Sequence, residues 1–84
     1  MEKSLFDKDY LIFLSLLRRS RKSVGLTQEQ LALRLGQSQS FISKCERGER
    51  RIDVIELRAF CLAIGVSFPT FVQLLEDELA GDSR

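Results

Sequence analysis

Gln39, Ser40, Ser43, Lys44 and Arg47 are the residues of this chain best suited to ligand chemistry. They are amides, hydroxyls and cations, the groups that read base edges and grip phosphates. Their spacing predicts one outward helical face. Glutamine can pair with adenine, and lysine can donate to guanine. Ser38 stands just before them and suits a helix N-cap. A plainer account of Gln39 and Ser40 is helix-start chemistry, since polar residues are common there.

The stretch that must position these side chains runs from Thr27 to Arg47. It predicts two short helices joined by a tight turn. Thr27 is a good N-cap, and Gln30 can complete a capping box. Leu31, Ala32 and Leu35 fall on one helical face. Gly36 stops that helix where a left-handed φ is cheap. The second helix carries Phe41, Ile42 and Cys45 on its apolar side. Two such helices cannot form a core alone. They make sense as a rigid unit presenting the second helix to something.

This spacing resembles the helix-turn-helix of the XRE, or phage-repressor-like, regulators. With Gln28 as position one, Ala32 falls fifth, Gly36 ninth and Ile42 fifteenth. Closely crossing helices need the small residue, the turn needs the glycine, and the branched residue plugs the crossing. The resemblance extends from about Leu17 to Ser67. It is carried by GLTQEQLA at 25–32, the Gly36 turn, ISKCERGER at 42–50 and AIGVS at 63–67.

The resemblance implies an all-α fold, a compact five-helix lambda-repressor-like DNA-binding domain spanning 1–84. It implies double-stranded DNA as the partner. Gln39, Ser40 and Lys44 occupy the family's base-contacting places, flanked by Ser38 and Ser43. Thr27, Gln28, Arg47 and Arg50 are then placed for phosphates, helped by helix N-terminal amides. In the family an arginine at the place of Arg21 pairs with the glutamate ending the reading helix, here Glu46. Otherwise Arg21 simply snorkels. Two departures stand out. Gln37 replaces a turn residue that is often apolar, and Ile52 stands where proline is common.

Composition agrees with a soluble globule, at 44% hydrophobic and 30% charged. A domain this small buries about 60% of its unfolded surface, so stability is marginal without good packing or oligomerisation. Net charge is only +1, yet residues 18–51 hold nine basic residues against three acids. The acids gather in the tail, at Glu76, Asp77, Glu78 and Asp82. Such asymmetry suggests a basic face at the motif and an acidic end directed elsewhere. The bland alternative is ordinary solvated helix faces.

The rest of the chain predicts three more helices and no strand. Residues 1–6 read as a loose arm, with Asp7 capping a first helix over about 8–23. Tyr10, Phe13, Leu14, Leu17 and Arg21 form its core stripe. Leu11, Ile12 and Leu16 make it apolar on a second side, which needs a partner. Asp53 caps a fourth helix, about 53–64, with Val54, Leu57, Phe60, Cys61 and Ile64 directed inward. Ile55, Ala59 and Leu62 form a second stripe. Ser67 caps a fifth helix over about 68–79, with Pro69 in its first turn. Phe68, Phe71, Val72, Leu75 and Leu79 line one side, and the last four residues read as frayed. The spare stripe of Ile55, Ala59 and Leu62, with Phe68, Val72 and Leu79, suggests a homodimer interface.

Catalytic signals are missing. The sequence has no histidine, no Gly-rich phosphate loop and no Cys/His spacing for zinc. No cofactor, metal or small-molecule substrate is therefore expected. Cys45 and Cys61 read as buried thiols in a reducing cytoplasm. There is no signal-peptide pattern, and Leu11–Leu17 is too short to span a bilayer. The expected protein is a cytoplasmic, nucleoid-associated DNA-binding regulator. It would act by occupancy as a repressor or restriction-modification controller, as a dimer on an inverted repeat. The alternatives are an antitoxin of a toxin–antitoxin pair and a protein-interaction adaptor that binds no DNA.

Overall fold

In a computed structural model, Thr27 and Ser38 start the two central helices. The structure describes the backbone of residues 3–82 and the side-chain surroundings of 8–81. Five α-helices follow in order, and no strand occurs among the described residues. They are α1 (Lys3–Ser23), α2 (Gln28–Leu35), α3 (Gln39–Glu46), α4 (Val54–Ile64) and α5 (Phe68–Asp82).

The boundaries of α2, α3 and α4 follow local chemistry. Thr27 accepts the Gln30 N–H, and the Gln30 side chain accepts the Thr27 N–H, closing a capping box. Gly36, at φ +67°, turns the chain out of α2, and Gln37 N–H returns to Ala32 O at 2.9 Å. Ser38 Oγ accepts the Phe41 N–H at 3.1 Å to start α3. Asp53 and Glu56 form a second capping box at the start of α4. Each box satisfies donors that the first helical turn leaves open.

Gly48 ends α3 with φ +81°. Its own N–H donates to Cys45 O at 3.1 Å, and the next N–H, of Glu49, reaches Lys44 O at 2.9 Å. A Cβ here would meet Leu14 Cδ1 at 3.3 Å. Gly48→Ala is therefore expected to cost about 1–2 kcal/mol through the left-handed backbone alone. Urea unfolding measures it, and an unchanged midpoint would contradict the strain.

The core joins all five helices. Leu17, Leu31, Ile42, Cys45, Phe60, Cys61 and Phe71 are fully enclosed. α2 packs on α3 and α4, while α5 closes against α1 and α4. Phe13 of α1 meets Phe71 of α5 edge to face, with ring centroids 6.2 Å apart. The second apolar side of α1 is thus partly met within the chain. Leu16 is buried and Ile12 half-buried, but Leu11 stays exposed.

Several expectations need correction. α1 starts at Lys3 rather than near residue 8, so Asp7 lies inside a helix instead of capping it. No glycine or proline stands between Lys3 and Asp7 to stop the helix. Within the expected loose arm, residues 1 and 2 lie outside the described residues. At the other end, α5 runs on to Asp82 rather than 79. Of the four residues expected to fray, 83 and 84 lie outside the described residues. Val54 is 62% exposed and does not join the core. It stands at the rim of an open groove between α1, α4 and α5, lined also by Tyr10, Leu57 and Leu75, so its place on the apolar stripe gains little cover.

Ile52, the departure from proline, has a local explanation. Its N–H donates to the Tyr10 hydroxyl at 3.0 Å. A proline would lack that donor. Ile52 also packs against the core.

Candidate nucleic-acid interface

α3 presents its polar side to solvent. Ser38, Gln39, Ser40, Lys44 and Arg47 are exposed, and Ser43 is half-buried among them. Their opposite face carries Ile42 and Cys45, both fully buried, which anchors the helix to the core. The helix therefore cannot rotate to hide its amides and cations.

A chain of hydrogen bonds fixes both ends of α3. Arg21 is buried in α1. Its Nε donates to Glu46 Oε2 at 2.7 Å and its Nη2 to Glu46 Oε1 at 3.0 Å. Its Nη1 donates to Leu26 O at 2.7 Å. Glu46 Oε1 also accepts from Gln28 Nε2 at 2.9 Å. Gln28 Oε1 in turn accepts from Gln39 Nε2 at 2.8 Å. The chain runs from α1 through the end of α3 and the start of α2, back to the first residue of α3. Buried polar groups satisfied in this way rigidify a site.

This geometry changes how Gln28 is read. Its side-chain amide is engaged at both ends, bridging Glu46 and Gln39. Its backbone N–H belongs to the first turn of α2, where helical amides have no internal acceptor and favour an anion. Thr27 likewise uses its hydroxyl oxygen in the cap. The bridging role of Gln28 escaped the sequence reading, because partners 11 and 18 residues away leave no local signal.

The two loop arginines are also engaged. Arg47 Nε lies 2.8 Å from Glu49 Oε2, and its Nη1 donates to Ser43 Oγ. Arg50 forms a two-pronged contact with Glu56, at 3.0 and 2.8 Å. Its guanidinium stands 4.8 Å from the Phe41 ring centroid. The Arg50 hydrogen bonds, then the Asp53 N–H, hold the Glu56 carboxyl below the usual carboxylate range. Glu56 thus favours the folded state above that range, and loses the effect as pH falls through the lowered value. Arg50 ties the loop to α4, which makes it the least available of the expected phosphate contacts.

Of the residues expected at a subunit interface, Ile55 is 73% exposed, Leu62 65% and Val72 43%. Ala59 is exposed as well. Phe68 is half-buried and packs against the core, and Leu79 is half-buried.

Among the described residues, no group of three histidine, cysteine, aspartate or glutamate side chains gathers as metal ligands would. Cys45 and Cys61 are free thiols in the core. Burial pushes both upward, Cys61 to about 11, so both stay protonated near neutrality. No single helix among the described residues is long and apolar enough to cross a membrane.

Two short helices around a glycine turn, with an anchored apolar side and an exposed polar side, define a helix-turn-helix protein. Residues 17–71 match a family model described as helix-turn-helix. The chain belongs to the XRE family of helix-turn-helix transcriptional regulators. That is a family of DNA-binding regulators and not an enzyme class. An XRE-family like protein from Pseudomonas syringae pv. tomato str. DC3000 has a similar solved structure, at 43% identity and a TM-score of 0.84. The match covers 90% of this chain and 93% of that one. A curated relative is an uncharacterized HTH-type transcriptional regulator, y4dJ, of Sinorhizobium fredii (strain NBRC 101917 / NGR234). It is 47% identical over 49 residues, which make up 58% of this chain and 64% of the relative.

Proposed function

We propose that this protein binds double-stranded DNA in a sequence-specific way and regulates transcription by occupancy. The observation that carries the reading is the Arg21–Glu46–Gln28–Gln39 chain, which holds the start of an exposed polar helix against the core. A helix fixed at its first residue can present Gln39, Ser40 and Lys44 to base edges in a major groove. Ser38 and Ser43 flank them. The first turn of α2, with Thr27 and Gln28, and Arg47 beside α3 supply phosphate contacts.

The working form is a homodimer on an inverted repeat, in the cytoplasm at the nucleoid. Its role would be that of a small repressor or a restriction-modification controller. The test is a salt titration on random duplex DNA, followed by selection of a preferred site from a random pool. Binding that weakens linearly on a log–log salt plot supports the reading. No binding even at low salt would favour a protein-interaction adaptor instead.

Gln39→Ala should cost the selected site about 1–3 kcal/mol and leave random duplex nearly unchanged, while Lys44→Ala should cost the selected site a similar amount and also weaken random duplex through its lost charge. Arg47→Ala should weaken both kinds of DNA and flatten the salt slope. Competition binding on the two DNAs separates these outcomes. Equal losses for Gln39→Ala on both would remove it from the base-reading set.

A further inference from the structure

Residues 18–51 hold three acids inside the basic half of the chain. Glu46 is buried and organises the Arg21–Gln28 chain. Glu29 lies in the first turn of α2, where the helix dipole favours an acid. Glu49 has neither use. It sits just past the C-terminus of α3, where that dipole disfavours a negative charge. Its ion pair with Arg47 leaves both side chains 55% exposed, and pairs of that kind add little to stability.

Glu49 is nevertheless held firmly in place. The left-handed turn at Gly48 and the Glu49 N–H to Lys44 O bond of 2.9 Å tie it to the last turn of α3. Its carboxylate meets Arg47 Nε at 2.8 Å. The same guanidinium donates to Ser43 Oγ on the outward side of α3. One arginine at the edge of the polar face is therefore already occupied by a carboxylate before any DNA arrives.

We propose that Glu49 is an intramolecular competitor for phosphate that occupies Arg47 and so restrains sequence-independent DNA binding. The inference rests on the DNA-binding reading above. A carboxylate and a phosphate oxygen offer the guanidinium the same charge-assisted hydrogen bonds. Binding any duplex through Arg47 then requires exchanging one for the other. Base contacts from Gln39 do not involve this exchange, and Lys44 meets Glu49 only as a nearby charge.

The experiment measures affinity for a random-sequence duplex across a salt series. It uses wild type, Glu49→Gln, Arg47→Ala, the double variant, and Glu76→Gln. Glu76 is exposed on α5, which packs on α1 and α4, so this variant makes the same charge change away from α3. Glu49→Gln should bind about three- to tenfold more tightly, with a salt slope steeper by up to about one unit. Glu76→Gln should stay within about twofold of wild type, since exposed charges farther apart than about 8–10 Å are largely screened. With Arg47→Ala present, adding Glu49→Gln should gain clearly less than it does in wild type, because the Arg47 contact is gone and only the weaker field between Glu49 and Lys44 remains. No gain from Glu49→Gln, a full gain without Arg47, or an equal gain from Glu76→Gln would each overturn the inference. Wild type that fails to bind the duplex at low salt would overturn the DNA-binding reading and this inference with it.

Discussion

Glu46→Ala should lower the unfolding free energy by about 3–5 kcal/mol, because it strands a buried guanidinium. The Arg21 side chain is 7% exposed and that of Glu46 3%. Two Arg21 nitrogens end on the Glu46 carboxylate, and the third ends on Leu26 O. Removing the carboxylate leaves Nε and Nη2 of buried Arg21 without acceptors, and also releases Nε2 of half-buried Gln28. A single domain is stable by only about 5–15 kcal/mol in total, so the loss is severe. Replacing both partners is a different matter, since well-packed apolar residues often substitute for a buried pair at little cost. Urea unfolding of Arg21→Met, Glu46→Leu and the double variant tests this. The double variant should be more stable than the sum of the single losses allows. Strict additivity would show that the two side chains are not coupled.

The same variants bear on function. Glu46 holds the Gln28 amide nitrogen while the Gln28 oxygen accepts from Gln39. A double variant that folds well should still lose discrimination at the position read by Gln39, because the start of α3 is no longer braced. Stability and selectivity are separable readouts of one hydrogen-bond chain.

Leu62→Glu should give a folded monomer that binds a selected inverted repeat about 100-fold more weakly, or worse, since one set of base contacts drops out. The motive is the outward stripe of α4, where Ile55 and Leu62 lie exposed and Ala59 falls between them. Val72 adds apolar surface on α5. Packing of α5 on α1 and α4 buries Phe71 but leaves this stripe uncovered. Exposed apolar side chains repeated along one helix face suit an interface. One reading helix reaches too few bases to stand out from a genome's competing sites. A two-fold dimer would place two such helices about 34 Å apart, one turn of DNA. An exposed leucine contributes little to the monomer, so the variant should stay folded, with a melting temperature lowered only by the loss of the dimer. Sedimentation and binding to whole and half sites give the outcome. A wild type that is monomeric at micromolar concentration, and binds a half-site as tightly as the full repeat, would end the dimer model.

Much of the architecture is written in short-range chemistry. Thr27 with Gln30, Ser38, and Asp53 with Glu56 are caps whose partners lie three residues away. Gly36 and Gly65 end their helices in the left-handed conformation that glycine tolerates best. The starts and stops of α2 and α4 were therefore legible to within about a residue, closer than such boundaries usually allow. The start of α1 was not, because nothing before Asp7 breaks a helix and a plausible cap is not an obligatory one.

The sequence by itself determined five amphipathic helices, the caps of α2, α3 and α4, the glycine turn and the residues on the outward side of α3. Those features depend on neighbours one turn away, and helical periodicity exposes them. Only the tertiary structure decided which of two apolar sides was covered. Leu16 and Leu11 both lie on the excess side of α1, yet one is buried and the other is 63% exposed. Periodicity ranks the two alike, and the docking of neighbouring helices separates them. Tertiary structure likewise assigned Gln28 to Glu46 and Gln39, and Arg50 to Glu56. A polar side chain has several chemically equal partners along a chain. Which one it takes depends on where folding leaves the helices, and that distance is set by the packing of Ile42, Phe60 and Phe71 in the core.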